Sequence, residues 1–510
     1  MHKVIKLTSI FFSIILFTNV YPAGAIGPGS GNPYVPVVQT GQGVYTDSLT
    51  ILESEQTIAR ISTGVAETAL TVTNLVTAEV VFNQTVAASE QVNGPRAWVD
   101  AGWARGVTLP VLGKGLYEVA VASSVVSPSD ITFVTETYRR PLFVTSTNPT
   151  ADFLVVSPSL IAACYNTWPN YPRFTNASQP GKSCYLNPDA AAKSTRVGLK
   201  RPGWNKTMTT QAKYLIDSIE AKGYTWDIID DTFLQDNPDY LNNYKAVIVV
   251  DQAEYATNEI RGSYDSYVAQ GGRLLLLSME VWIWNMRKEG DAYRVFKLAT
   301  DPYITDQDSS NDSQIGDYAI LGNLWTAGQP GPNDPTTRST GSTIWLGFNP
   351  LTGVTGWTAY RTGHWLYANT SLADGDTFLD GRIAVTQFVD GVKTRFVGAP
   401  SLPYIGTDAA TFSIPSNLLI LATLETSNAV PWDCLTWTPS SVPCREAGTG
   451  VISIFESGAN NGVVMKIPIK KWMIELQTDT QISQMLDNIL DRFQLATGSI
   501  NPTDGYSVTP

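Results

Sequence analysis

Histidine is almost missing from this chain: it has two, His2 and His364. With His2 in a leader, a multi-histidine zinc site is excluded, and a Ser-His-Asp triad would depend on His364 alone. Cysteine is scarce as well. The four residues Cys164, Cys184, Cys434 and Cys444 show no CxxC spacing and have no histidine nearby, so metal binding through thiolate is not expected. Basic residues are outnumbered, 34 Lys and Arg against 46 Asp and Glu, for a net charge of -12 and a pI near 4.8. That balance argues against nucleic acid, which demands a basic patch, and serves mostly solubility. Beyond the N-terminus no apolar run is long enough to span a bilayer.

What is present begins with a leader. Lys3 and Lys6, an apolar run from Ile10 to Phe17, and Ala23-Gly24-Ala25 follow the order of a secretory signal peptide, so residues 1–25 are expected to be removed and the protein exported. The cysteines agree with an oxidising compartment. They fall into two local pairs, Cys164 with Cys184 and Cys434 with Cys444, the favourite of three connectivities. Closing the first loop would stabilise by roughly 3 kcal/mol. Sequons at Asn83, Asn176, Asn205, Asn311 and Asn369 matter only in a glycosylating host.

At 510 residues the chain has room for two or three cores. Residues 26–47 read as an extended arm. Residues 48–145 are short apolar runs broken by turns, such as TIARI, ALTVTNLV and LYEVAVA, the pattern of an antiparallel β-sandwich. From 146 to 497 the texture is α/β: FLVVS as a buried strand, a helix over 210–222 stopped by Gly223, a strand over 225–229, and further strands and a closing helix to 495. Strands alternating with helices imply a doubly wound parallel sheet. A polar stretch at about 300–350 reads as a functional or disordered loop, and 498–510 as a polar tail.

The organising unit runs from Tyr244 to Arg287. Ala246–Val250 is an apolar, mostly β-branched run; Thr257 caps a helix over 258–269 whose Ile260, Tyr264, Tyr267 and Val268 share a face; Gly271-Gly272 stops it; Leu274–Leu277 is the next strand. Ligands in open α/β sheets bind beyond the carboxyl ends of the strands. That rim holds Asp251, Gln252, Glu254 and Tyr255, then Ser278, Glu280, Trp282 and Trp284. No cysteine or serine lies in 251–255, so a nucleophile on that turn is not expected.

Here the chain resembles the C-terminal domain of the N,N-dimethylformamidase large subunit and its relatives. The resemblance rests on DQAEYATNEIR, AQGGRLLLLS with Trp284 and Arg287, the Tyr165-Asn166-x-Trp168 loop, GYTWDIIDD, FKLATDP, HWLYANTSLADGD, and GTGVISIFESG followed by KIPIKKWMIEL. It spans about 140–497 in order. It implies a flavodoxin-like, glutamine-amidotransferase-like layer behind a β-domain, and hydrolysis of a small amide at an iron held by tyrosines and a carboxylate. Tyr255 is the ligand implied by the motif, and a phenolate suits ferric iron. Asp317 is the matching carboxylate; for the second tyrosine Tyr214 and Tyr224 both stand. Such an ion would polarise the carbonyl, with Glu254 or Asp317 moving the proton.

The chain departs from the family pattern: Gln252 occupies the motif's His position in the catalytic set, Ala256 its Trp, Glu280 an Asn, and Gln387 a Glu. His364 matches a family His-Trp pair and joins Glu254 and Gln252 as a catalytic candidate, beside a purely structural role. Trp284, Glu280 and Trp168 are candidates to face a substrate, although Trp282 and Trp284 fit a core equally well. Two functions follow. One is an exported amidohydrolase. The other is a non-catalytic secreted binding or cell-surface protein whose loop aromatics stack on a saccharide or protein. Oligomerisation stays open.

Overall fold

The unbroken apolar runs become strands covered on both faces. The computed structural model describes residues 43–62, 67–87, 105–126, 133–166, 184, 194–200, 202, 206–296, 335–348, 356–380, 389–407, 409–426, 448–469, 472–495 and 500–510. Every described residue belongs to one compact unit. The strand Ala246–Gln252 is buried throughout and pairs in parallel with Phe153–Ser157 on one side and Arg273–Met279 on the other. Successive side chains point to opposite faces, as a pleated strand requires. Val247, Val249, Leu274 and Leu276 meet Ile260, Tyr264 and Val268 of helix Asn258–Ala269. Ile248, Val250, Leu275 and Leu277 lie in the cluster of Leu215 and Ile219 from helix Lys206–Ala221, with Met485 and Ile489 from helix Thr480–Phe493. Thr257 caps the first of these helices by accepting the Ile260 N–H at 3.1 Å, and Asp479 caps the last.

A flavodoxin-like doubly wound sheet is nevertheless not what forms. The described residues are mostly β, 41% strand against 22% helical, with six α-helices. The parallel strands Trp226–Asp230, Phe153–Ser157, Ala246–Gln252, Arg273–Met279 and Gly462–Lys466 are one part of an eleven-stranded mixed sheet. Beyond Gly462–Lys466 the pairing is antiparallel, through Thr449–Ser457, Leu419–Glu425, Trp357–Ala359 and Thr377–Phe378. The expectation failed because it extended an alternation seen around residue 250 to the whole domain. The connection from Trp226–Asp230 to Ala246–Gln252 has two 3-10 turns and no α-helix. After Met279 the chain enters a four-stranded side sheet, made of Ser194–Gly198, Ala292–Phe296, Trp284–Glu289 and Tyr255–Thr257.

Residues 43–145 form two further sheets of three and five strands around their own core, which includes Val44, Ile61, Leu70, Val72, Val119, Val121 and Leu142. Polar bonds tie them to the large sheet and to the end of the side-sheet strand Ser194–Gly198. Thr50 Oγ1 donates to Asp230 at 2.5 Å, Arg140 donates to the Leu199 carbonyl at 2.6 Å, and the Lys114 ammonium lies 3.3 Å from Asp227. The C-terminal residues, read as a polar tail, pack back: Ile500 is buried, and Tyr506 and Val508 lie on the cluster beneath helix Thr480–Phe493. No described helix is long and apolar enough to cross a membrane. The disulfide Cys164–Cys184 is present, with S–S 2.02 Å and Cα–Cα 4.7 Å. Cys434, Cys444, the leader, residues 26–42 and most of the 300–350 loop lie outside the described residues.

Candidate functional site

Two loops leave adjacent parallel strands at the carboxyl end of the sheet and are sewn together. Asp251 and Gln252 stand opposite Ser278 and Met279. The Ala253 N–H then donates to Ser278 Oγ at 3.1 Å, the Trp282 N–H to the Ala253 carbonyl at 2.7 Å, and the Trp284 N–H to the Glu254 carbonyl at 3.0 Å. From there the chains run in parallel, Tyr255 opposite Trp284. Asp251, Glu280 and Trp282 hold positive φ of 68°, 53° and 51°. For residues with a Cβ this backbone is strained, by on the order of 1–2 kcal/mol each.

The side chains so placed meet. Glu254, Glu280 and Gln252 are 2%, 5% and 7% exposed. The Gln252 amide nitrogen donates to Glu254 Oε2 at 3.2 Å and closely to Glu280 Oε2, and the Tyr165 hydroxyl donates to Glu254 Oε2 at 3.0 Å. Tyr165 ends the helix Leu160–Tyr165, one residue past the disulfide-bonded Cys164. Tyr255, 1% exposed, lies in the apolar cluster of Ala253, Ile260, Tyr264 and Trp284, and Trp282 stacks on Tyr264 at 4.8 Å. Trp282 and Trp284 are therefore core aromatics of the rim.

Beneath Glu280 is a buried ion pair that reading the sequence did not find. Asp390 accepts the Glu280 N–H at 3.1 Å and the Val281 N–H at 3.4 Å, and lies 2.7 Å from the Lys466 ammonium. Lys466, the last residue of its strand, also donates to Thr340 Oγ1 at 3.3 Å and to the Ser342 carbonyl at 3.0 Å. Burial lowers the Lys466 pKa while Asp390 opposes it. The signal was there in the apolar run VVMKIPI, where one lysine interrupts a buried strand.

The family profile described as "N,N-dimethylformamidase beta subunit-like, C-terminal" matches residues 67–482. The chain belongs to this family. No curated protein matches it. Among solved structures, a Parabacteroides merdae β-glucuronidase is 11% identical over 47% of this chain and 24% of its own, with a TM-score of 0.17; the same enzyme with glycerol in its active site is 8% identical over 46% and 33%, with a TM-score of 0.16. The chain thus spans only about a quarter to a third of the structures it matches.

The other residues of the dimethylformamidase-like reading are placed elsewhere. Tyr224 precedes the strand Trp226–Asp230, at the amino end of the parallel strands, whereas Tyr255 follows the carboxyl end of the strand Ala246–Gln252. The Tyr224 hydroxyl donates to Asp491 at 2.7 Å, and burial with that carboxylate pushes it up to about 12, away from a phenolate ligand. Tyr214 packs under the opposite face of the sheet. His364 is sealed in. Its Nδ1 accepts the Leu366 N–H at 3.1 Å, leaving Nε2 as the donor to the Pro502 carbonyl at 2.8 Å. Burial lowers it to about 4, so it is a helix cap and not a base of the rim. Asp317, Trp168 and Gln387 lie outside the described residues. Among the described residues no three His, Cys, Asp or Glu side chains are grouped to hold a metal, and of the implied iron donors these residues bring only Tyr255 to the rim. The described residues do not make up the implied set.

Proposed function

We propose that this chain is an exported hydrolase that cleaves the C–N bond of a small amide at the rim of Glu254, Gln252, Glu280 and Tyr165. The supporting observation is the hydrogen-bonded path from Tyr165 through Glu254 and Gln252 to Glu280, nearly buried at strained strand ends. Family membership and the leader of residues 1–25 favour the same reading. In it Glu254 takes a proton from water as the water oxygen bonds to the amide carbon. When the amide binds, the Tyr165 hydroxyl and the Gln252 amide turn from these carboxylates to donate to the oxygen that gains charge. The proton then passes to the nitrogen as the C–N bond breaks.

Glu254→Gln is expected to lower kcat/KM for hydrolysis of a formamide or acetamide by about 10²–10⁴-fold, a general base's usual share, without unfolding the protein. Metal analysis of wild type and Tyr255→Phe in the same preparations tests an iron held through Tyr255. Two features favour the binding-protein reading instead: the Gln252 amide already sits between the two carboxylates, and the mature chain's lone histidine is sealed away. Absence of turnover across a panel of small amides, with saccharide binding intact in Glu254→Gln, would establish that alternative.

A further inference from the structure

Away from the candidate site, a second pair of carboxylates is buried around one hydroxyl. Asp230 and Asp231 are 1% and 4% exposed, and Ser159 is fully buried. Ser159 Oγ lies 2.7 Å from Asp230 Oδ2 and 2.6 Å from Asp231 Oδ1. Contacts this short between a hydroxyl and a carboxylate each need a proton on the line. A serine hydroxyl has one.

The remaining donors show where the other proton belongs. Asp230 Oδ1 accepts from the Thr50 hydroxyl, and its Oδ2 from the Thr232 N–H and hydroxyl, so with Ser159 it has four donors and fits an ionised carboxylate. Asp231 has the Ser159 N–H at 2.8 Å and the Leu160 backbone. The positive group whose field reaches the pair is Arg140, on strand Phe133–Thr145, and Asp230 is the acid it feels most. Tyr264, on helix Asn258–Ala269, and Tyr293, on strand Ala292–Phe296, face the pair as neutral phenols held well above their ordinary value by burial and by these acids. Tyr45 lies near Arg140, and Asp236 near Tyr293. Among the described residues one cation faces two acids.

We propose that Asp231, Ser159 and Asp230 form a proton-sharing chain, with a neutral acid at Asp231, and that this chain is a pH-sensitive latch between the N-terminal sheets and the large sheet. Its three anchors are Thr50 on the edge strand of the first part, Asp230 at the end of a large-sheet strand, and Ser159 at the start of the helix ending in Tyr165. Burial, and Asp230 beside it, raise the Asp231 pKa to about 7, against the hydrogen bonds from Ser159 and Leu160. Above that pH a second charge enters a site with one counter-ion, and the latch loosens.

Infrared spectra of the full chain test this. Wild type should show a protonated-carboxyl band at pH 6 that is gone at pH 9 and absent from Asp231→Asn. In Ser159→Ala the band should disappear at lower pH than in wild type, because the neutral Asp231 loses the hydroxyl that accepts its proton. Hydrogen exchange at pH 8.5 should be faster in wild type than in Asp231→Asn over residues 50–52 and 159–165. A band that Asp231→Asn and Ser159→Ala both leave unchanged, or equal exchange in the two proteins, overturns the proposal.

Discussion

Lys466→Met is expected to destabilise the protein by roughly 3–5 kcal/mol, the usual result of removing one partner from a buried ion pair. Both charges are fully buried, at 0% exposure. The ammonium spends its three protons on Asp390, Thr340 and the Ser342 carbonyl, so none is left to water. Without it, Asp390 is a bare carboxylate under the rim, held by the Glu280 and Val281 N–H groups. Asp390→Asn should cost less, since the amide oxygen still accepts one of those bonds. The double variant should lose less than the two single losses added together, because each single change strands the other's charge. Urea unfolding of the four proteins decides it, and a loss below about 1 kcal/mol in Lys466→Met would show that water reaches the pair. Glu280 sits on the same carboxylate at a left-handed φ, so both single variants should also disturb the rim.

Acid should weaken the protein through His364 by on the order of 3 kcal/mol. Its pKa is depressed in the fold to about 4 from an ordinary 6.5. Below pH 6.5 the unfolded chain takes up a proton that the folded chain refuses, so the unfolded state gains. The contribution is therefore whole above pH 6.5 and is lost as pH falls through 4. The cause is burial, opposed by the Pro502 carbonyl and Asp504. His364→Asn keeps a capping acceptor for the Leu366 N–H and should flatten this limb in melts from pH 7 to 4. Asp231 has the opposite sign. Its raised pKa stabilises fully below pH 3.8 and is lost as pH rises through about 7. The two slopes oppose each other in the overlap, so the His364 effect is read most cleanly in an Asp231→Asn background. A profile that His364→Asn leaves unchanged would mean that the imidazole is reached by solvent.

Much of the local structure was legible because burial on both faces leaves a mark in the sequence itself. FLVVS, AVIVV and LLLL can only be covered strands, and Thr257 with Gly271-Gly272 brackets a helix by cap and stop chemistry. The architecture was not legible, because pairing partners leave no such mark. Trp357–Ala359 and Thr377–Phe378 are too short to read, and nothing in Gly462–Lys466 says that it lies beside Arg273–Met279. The same divide runs through the candidate site. Gln252, Glu254 and Glu280 could be found from strand ends, since the first ends its strand and the others follow within two residues. Lys466 was marked as a charge inside the apolar run VVMKIPI, but its pairing with Asp390 and Glu280 could not be read, the three being far apart in sequence and joined only by the fold. Tyr224 stands before a strand and Tyr255 after one, a difference in placement that the family resemblance does not carry. His364 had no partner spacing to reveal that both its nitrogens were engaged.

The order of strands in the large sheet also sets an order in time. A ribosome delivers Phe153–Ser157, Trp226–Asp230, Ala246–Gln252 and Arg273–Met279 in a single stretch, and these can pair as they emerge. The edge of Arg273–Met279 then waits, with its leucines and unpaired backbone groups open, until Gly462–Lys466 has been made. Helix Thr480–Phe493 and the residues clasped by His364 arrive later still. Nascent chains halted before residue 462 should therefore be sticky and bound by chaperones, and those with all 510 residues clear of the ribosome released.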